Sequence, residues 1–175
     1  RPVVVAAFLV RTAAAAVGHV DRAEAVGDDV LADLRSKSQL VKYVVVGGFA
    51  VALHGVVRAT KDIDVLIEPT LENAERALKA LEGLTWGVSR ELDPSEVVAN
   101  PITVIGDEPR VDLLTLAWSV RYADAAPKLQ RVEIDGVEVP FADLDTLIRT
   151  KQTDRFQDKA DVENLEQVKR LEQSR

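Results

Sequence analysis

Short apolar runs alternate with helical patterns along the middle of the chain. The β-branched run "KYVVV" is typical of a buried strand, and it ends at Gly47 and Gly48. "FAVALHG" follows as a compact apolar helix, with Gly55 suited to the position just after a helix end. "DIDVLIEP" predicts a second strand that stops at Pro69. The order is therefore strand, glycine pair, helix, strand.

An amphipathic helix is predicted directly after the second strand. Thr70 is a helix cap for "LENAERALKALEGL". Its apolar residues Leu71, Ala74, Leu78 and Leu81 recur at helical spacing and form one stripe. This helix is expected to pack that stripe on the core.

Two hairpins and two helices are predicted in the second half of the chain. "PITVIGDEPRVDLLTLA" indicates two strands joined by the polar turn "GDEP", and "QRVEIDGVEVPFA" indicates a hairpin that turns at Asp135 and Gly136. "ADLDTLIRTKQ" is helical, and a last helix starts at about Arg155. Strands and helices are intermixed, which predicts an α/β (α+β) fold with a mixed central sheet flanked by helices and a helical C-terminal tail.

The chain divides into two parts in this interpretation. Residues 1–40 contain the helix-favouring stretches "AAAAVGHVDRAEAVG" and "VLADLRSKSQL" and form an N-terminal helical extension. Residues 41–175 form the main domain, including the C-terminal helices. No linker rich in Pro, Gly or Ser divides that domain.

Composition narrows the chemistry. The 175 residues include no cysteine and only two histidines, which excludes disulfides, thiolate zinc sites, cysteine nucleophiles and histidine-rich metal sites. Any metal must then be a hard cation held by carboxylates. The net charge of -7 argues against unaided adhesion to nucleic acid or anionic lipid. The apolar run "PVVVAAFLV" is too short to span a bilayer, so we expect a cytoplasmic protein without a membrane partner.

Three aspartates are the candidate metal ligands. Asp62 and Asp64 project to the same side of the second strand, while Ile63 and Val65 face the core. Two carboxylates this close repel each other unless a cation lies between them. Asp112, on a later strand, could complete a site for two Mg²⁺ ions, with Mn²⁺ as an alternative. The structural alternative is a strand whose carboxylates are simply solvated.

The glycine pair is a candidate phosphate-binding turn. Gly47 and Gly48 lie between a strand and a helix, where phosphate oxygens can approach bare backbone N–H groups. The pattern matches neither a Walker loop nor the dinucleotide-binding glycine fingerprint. An ordinary tight turn is the alternative.

These motifs together resemble the nucleotidyltransferase superfamily with the polymerase-β-like fold. That family has a strand, a Gly-Gly or Gly-Ser pair, a gap, an Asp-x-Asp pair and a later aspartate. Here thirteen residues separate Gly48 from Asp62. "RATKDIDVLI" is similar to the version in abortive-infection toxin nucleotidyltransferases and related small bacterial proteins. Their helical tail is matched by Lys151, Arg155, Asp158 and Asp161.

The resemblance implies roles for these residues. The metal-binding and catalytic residues would be Asp62, Asp64 and Asp112, with Lys151 contacting phosphate or base. Asp112 would also help to deprotonate the attacking hydroxyl, and Asp158 or Asp161 would orient Lys151 or fix the tail helices. The implied nucleotide-binding residues are Gly47, Gly48, Arg58, Thr60, Arg155 and Asp158.

Several of these residues also have a purely structural interpretation. Arg58 and Thr60 would then only cap and position the strand. Lys151, Arg155 and Asp158 fall at i, i+4 and i+7, so on a continuous helix they would form a salt-bridged face.

Three further side chains are expected to be structural. His54 precedes Gly55 and is interpreted as a helix-end residue rather than a catalyst. Trp86 and Trp118 are expected in the core rather than on a base-stacking surface.

The resemblance implies an Mg²⁺-dependent enzyme that moves a nucleoside monophosphate from a nucleoside triphosphate to an acceptor hydroxyl. An RNA end such as that of tRNA, in a toxin–antitoxin setting, is the expected acceptor, with an antitoxin or a second copy as partner. An antibiotic-type small molecule or a protein side chain is an alternative acceptor. Because Gly48 replaces the family's frequent serine, a non-catalytic nucleotide- or partner-binding module is also an alternative, and a purely structural protein is a third.

Overall fold

The computed structural model describes residues 41–56, 60–134 and 137–174. The predicted N-terminal extension, Arg58 and the Asp135–Gly136 turn lie outside the described residues. The elements are β1 (Tyr43–Val45), α1 (Gly47–Leu53), β2 (Asp62–Ile67), α2 (Leu71–Leu81), α3 (Pro94–Ala99), β3 (Ile102–Ile105), β4 (Arg110–Leu114), α4 (Tyr122–Ala125), β5 (Gln130–Ile134), β6 (Val137–Phe141), α5 (Leu144–Thr150) and α6 (Phe156–Gln173).

The strands form one mixed sheet in the order β3-β4-β2-β1-β6-β5. β2 is parallel to β4 and β1 is parallel to β6, while the other neighbouring pairs are antiparallel. This confirms the predicted α/β class, and both predicted hairpins form as β3–β4 and β5–β6. The strands β1 and β2 occupy the centre, so their ends lie where helices from both halves of the chain can reach them.

The core is built from the apolar residues of the central strands. Val44 and Val45 of β1 and Ile63 of β2 are buried, as are Leu147 of α5 and Leu165 of α6. The C-terminal helices therefore pack on the same core as the sheet. That packing fixes the position of the tail relative to the strand ends.

Helix α2 begins at its predicted cap, where the Thr70 hydroxyl accepts the Asn73 N–H. Ala74, Leu78 and Leu81 are buried, as the apolar stripe predicts. Leu71, at the first position of the helix, is 59% exposed and lies outside that buried stripe. The stripe therefore begins one turn later than its spacing predicts.

The prediction that both tryptophans lie in the core is wrong. Trp86 is 64% exposed and Trp118 is 59% exposed. The Trp86 segment is anchored through its backbone, since the Trp86 and Val88 N–H groups donate to the Asp107 carboxylate at 2.8 and 3.0 Å. Trp118 lies in a turn with φ of 56°. Backbone geometry, rather than burial of the indole rings, determines these two positions.

Within the described residues no helix has the length and apolar character needed to cross a membrane.

Candidate functional site

The parallel pairing of β2 with β4 brings the predicted aspartates to one face of the sheet. The register places Asp64 opposite Asp112 and Asp62 opposite Arg110. Register partners project to the same side of a sheet, and residues two apart on a strand do the same. We call the surface formed by Asp62, Asp64, Arg110 and Asp112 the aspartate face. The structure thus places the three candidate ligands on neighbouring strands and on one side.

The three carboxylates differ in their exposure to water. Asp62 and Asp64 are partly buried, whereas Asp112 is only 3% exposed. Its neighbours Val111 and Leu113 are buried on the opposite face, as the alternation predicts. Asp112 is therefore not the solvent-facing strand residue of the structural alternative. A buried carboxylate requires a partner.

That partner is Arg110, a residue that the sequence analysis did not single out. The Arg110 Nε and Nη2 atoms each donate to a different Asp112 oxygen, both at 2.8 Å. These bonds and the charge of Asp112, with smaller contributions from Asp62 and Asp64, raise the pKa of Arg110 above its ordinary value. The sequence feature that could have predicted this pair is an arginine two residues before an aspartate on the same strand, because residues at that spacing project to one face.

The turn formed by Gly47 and Gly48, which we call the glycine corner, contacts the aspartate face at Gly47. Gly47 has φ of 66°, which favours glycine, and the Val46 N–H donates to the Asp64 carbonyl at 3.0 Å. A Cβ atom added to Gly47 would overlap the Asp64 carboxylate and lie 2.7 Å from the Asp64 Cβ. Gly47 is therefore required by the close approach of Asp64. Gly48 is buried in the first turn of α1.

Thr60 positions Asp62. Its hydroxyl lies 2.9 Å from Asp62 Oδ1 and 3.1 Å from the Asp62 carbonyl oxygen, and it can donate to either. This geometry corresponds to the strand-positioning interpretation of Thr60. Its contact with phosphate stays a prediction, as does the role of Arg58.

The tail residues form a compact cluster. The Lys151 ammonium lies 3.0 Å from Asp158 Oδ1 and 3.1 Å from Asp161 Oδ2, and all three side chains are buried. The Thr153 hydroxyl donates to the second Asp158 oxygen at 2.5 Å. We call these four residues the tail cluster.

The salt bridge between Lys151 and Asp158 that the structural interpretation predicts is present, but it does not form on one face of a continuous helix. Helix α5 ends at Thr150 and α6 begins at Phe156, so the tail cluster forms across a break between two helices. The spacing of Lys151 and Asp158 along the chain is therefore explained by their ion pair between two helices and not by the period of one helix. The contact of Lys151 with phosphate or base stays a prediction.

The electrostatics of the tail cluster stabilise an ionised Asp158. Burial would raise the pKa of its carboxyl, but the hydrogen bonds from Thr153 and Lys151 and the charges of Lys151 and Arg155 outweigh burial and lower that pKa. Arg155 itself is exposed, and its backbone N–H donates to the Thr153 hydroxyl. The predicted nucleotide contact of Arg155 stays untested.

His54 is a helix-end residue, as predicted. It caps α1, and Gly55 follows it with φ of 85°. The His54 Nε2 atom lies 2.8 Å from the Ala142 carbonyl oxygen, so this nitrogen carries the proton. The ring also lies edge-on against Phe141. His54 thus joins the helix after the glycine corner to the end of β6.

No three His, Asp or Glu side chains of the described segments are arranged to hold a metal ion as they stand. This agrees with the orientation of Asp112, whose two oxygens face Arg110. Asp62, Asp64 and Asp112 still provide the oxygen donors that a hard cation prefers.

A mixed sheet with paired aspartates on β2, a third aspartate on β4 and a glycine corner after β1 defines a nucleotidyltransferase-type fold, as the resemblance implies. The chain belongs to the family described as nucleotidyltransferase of unknown function (DUF6036), whose model matches residues 25–174. The matched range includes residues 25–40, assigned above to the N-terminal extension. No curated protein matches the chain.

Proposed function

We propose that the protein transfers a nucleoside monophosphate from a nucleoside triphosphate to an acceptor hydroxyl. The observation that carries this proposal is the convergence of Asp62, Asp64 and Asp112 on one sheet face, beside the Gly47 corner. Membership of a nucleotidyltransferase family supports the same class of reaction.

The donor set is suited to a hard divalent cation. Asp62, Asp64 and Asp112 would hold Mg²⁺, as two ions or with Mn²⁺ in its place, because these metals prefer carboxylate and phosphate oxygens. A bound cation would neutralise charge on the triphosphate and on the leaving pyrophosphate. Asp112 would first have to exchange at least part of its pairing with Arg110.

In the proposed reaction the acceptor oxygen forms a bond to the α-phosphorus. The bond from that phosphorus to the bridging oxygen breaks, and pyrophosphate leaves with the electron pair. The acceptor proton passes to a carboxylate, for which Asp112 is the proposed base. The backbone at Gly47 and Gly48 would bind phosphate oxygens. Catalysis would then come from positioning and electrostatics.

The acceptor is proposed from the sequence resemblance. An RNA end such as that of tRNA, with an antitoxin or a second copy as partner in the cytoplasm, is the first choice. An antibiotic-type small molecule is the second. A non-catalytic nucleotide-binding module is the alternative class, and the pairing of Arg110 with both Asp112 oxygens favours it.

A labelling experiment tests the proposal. The protein is incubated with each α-labelled nucleoside triphosphate, Mg²⁺ or Mn²⁺, and pools of total RNA, protein or small molecules. We expect label to enter one pool with the wild type and to be lost with Asp62→Asn and Asp64→Asn. Asp154→Asn is the matched control, since Asp154 is an exposed aspartate of the tail. Transfer that persists in the Asp62 and Asp64 variants, or none by the wild type in any pool, would contradict the proposal.

A further inference from the structure

Arg110 occupies both oxygens of the most buried carboxylate on the aspartate face. Arg110 donates two parallel hydrogen bonds of 2.8 Å, one to each Asp112 oxygen. This bidentate geometry is the strong form of an arginine–carboxylate ion pair. The Asp112 side chain is buried, whereas the Arg110 side chain is 49% exposed. The arginine therefore covers Asp112 from the solvent side.

Arg110 also reduces the repulsion among the carboxylates. Asp64 and Asp112 are register partners on strands that lie about 4.8 Å apart, so their charges oppose each other. The guanidinium keeps its charge throughout the physiological pH range. It is placed opposite Asp62 and bonded to Asp112, so it acts on all three aspartates. The protein thus carries its own counter-ion on this face.

A guanidinium and a divalent cation of the same sign compete for Asp112. A triphosphate changes this competition, because its oxygens offer the guanidinium a bidentate partner of higher negative charge than a single carboxylate. Half of the Arg110 side chain is already in water, so it can turn from Asp112 without leaving a buried cation behind.

We propose that Arg110 is an exchange residue: it pairs with Asp112 in the nucleotide-free protein and turns to the phosphates when a nucleoside triphosphate with its cation binds. This inference rests on the proposed function and deepens it. It assigns a nucleotide-positioning role to a residue that neither the motifs nor the family description identifies. It also implies that the face binds a cation–nucleotide complex better than a free cation.

Cation binding to the nucleotide-free protein tests the inference without any measurement of transfer. Free Mn²⁺ is followed by its electron paramagnetic resonance signal during titration of the wild type, Arg110→Gln, Arg110→Lys and Arg131→Gln. Arg131 is the matched control, since it forms an exposed ion pair with Glu138 on β6. Arg110→Gln removes the positive guanidinium charge next to the site, and we expect this to tighten Mn²⁺ binding about tenfold. Arg131→Gln should bind as the wild type does.

Nucleotide binding provides the second readout. With Mn²⁺ present, a triphosphate analogue that cannot be cleaved between the α- and β-phosphates should bind about tenfold more weakly to Arg110→Gln. Arg110→Lys keeps the charge but loses the planar fork. It should therefore retain near-wild-type Mn²⁺ affinity and bind the analogue with intermediate affinity. A purely structural arginine would weaken both ligands together.

Opposite signs for the two ligands support the inference. Mn²⁺ binding by Arg110→Gln that is no tighter than that of the wild type, or analogue binding that is unchanged, would overturn it. If Arg110→Gln does not fold, Arg110→Lys decides, and analogue binding equal to the wild type would then overturn the inference. Transfer by the wild type alongside unchanged Mn²⁺ affinity in Arg110→Gln would refute the exchange alone. Opposite shifts without transfer by the wild type would support the exchange and refute catalysis.

Discussion

Asp64 of β2 lies opposite Asp112 of β4, and the Asp64 carboxylate occupies the space that a side chain at Gly47 would need. A single aspartate therefore connects the third carboxylate with the glycine corner. The two motifs are separate in the chain, yet they meet at this side chain. Any side chain introduced at residue 47 would therefore displace Asp64 and disturb the aspartate face.

Gly47→Ala should destabilise the protein and abolish nucleotide binding. The new Cβ combines a positive φ with an overlap on Asp64, and we expect a loss of about 1–3 kcal/mol in the free energy of unfolding. Gly55→Ala combines the positive φ with open space, whereas Gly106→Ala has open space and no positive φ, so the three form a graded series. Denaturant unfolding measures the series. Equal stability of Gly47→Ala and Gly106→Ala would contradict the predicted overlap.

Thr60→Val should disturb Asp62 selectively. The variant keeps the shape of threonine but loses the hydrogen bond to the Asp62 carboxylate, at a cost of about 1 kcal/mol in stability. We expect divalent-cation affinity, measured by Mn²⁺ titration, to fall with it. Thr60→Ser keeps the hydroxyl and should restore that affinity. A valine variant that binds Mn²⁺ as the wild type does would show that Asp62 needs no positioning by Thr60.

Lys151→Met should be strongly destabilising. Removal of the ammonium leaves Asp158 and Asp161 buried without their shared cation, which typically costs about 3–5 kcal/mol. Lys159→Met is the control, because Lys159 forms only a long, exposed contact with Asp154. Thermal and denaturant unfolding compare the two. A loss below about 1 kcal/mol for Lys151→Met would mean that the tail cluster contributes little to stability.

Asp158 should make the protein sensitive to acid. Its folded-state pKa is lower than the ordinary value of 3.8, so its contribution to stability is present above pH 3.8 and is lost as the pH falls below that value. Asp158→Asn removes this contribution. The variant should be less stable than the wild type at neutral pH and lose less stability between pH 4 and pH 2. Urea unfolding at a series of pH values measures the two slopes, and parallel slopes would contradict the prediction.

Much of this fold could be predicted from short sequence windows. β1, α1, β2 and α2 appear where the apolar patterns, Gly55 and Thr70 place them, because these signals act over a few residues. The two tryptophans could not be placed in this way. The size of tryptophan favours burial, but the Trp86 backbone N–H donates a hydrogen bond to the Asp107 carboxylate, about twenty residues away in the chain, and the ring stays exposed. The two C-terminal helices were predicted from the sequence, and the break between them lies close to where the pattern places it, since α5 ends at Thr150 and α6 begins at Phe156.

The sequence by itself determined the local elements and the side of β2 to which Asp62 and Asp64 project, since strand alternation needs no tertiary contact. It also determined the superfamily, because the spacing of the glycines and aspartates is a property of the chain. Only the tertiary structure decided that Asp64 lies opposite Asp112, that Gly47 has no room for a side chain and that Arg110 holds Asp112. These relationships depend on how distant strands pair, and strand register is set by the packing of the whole sheet.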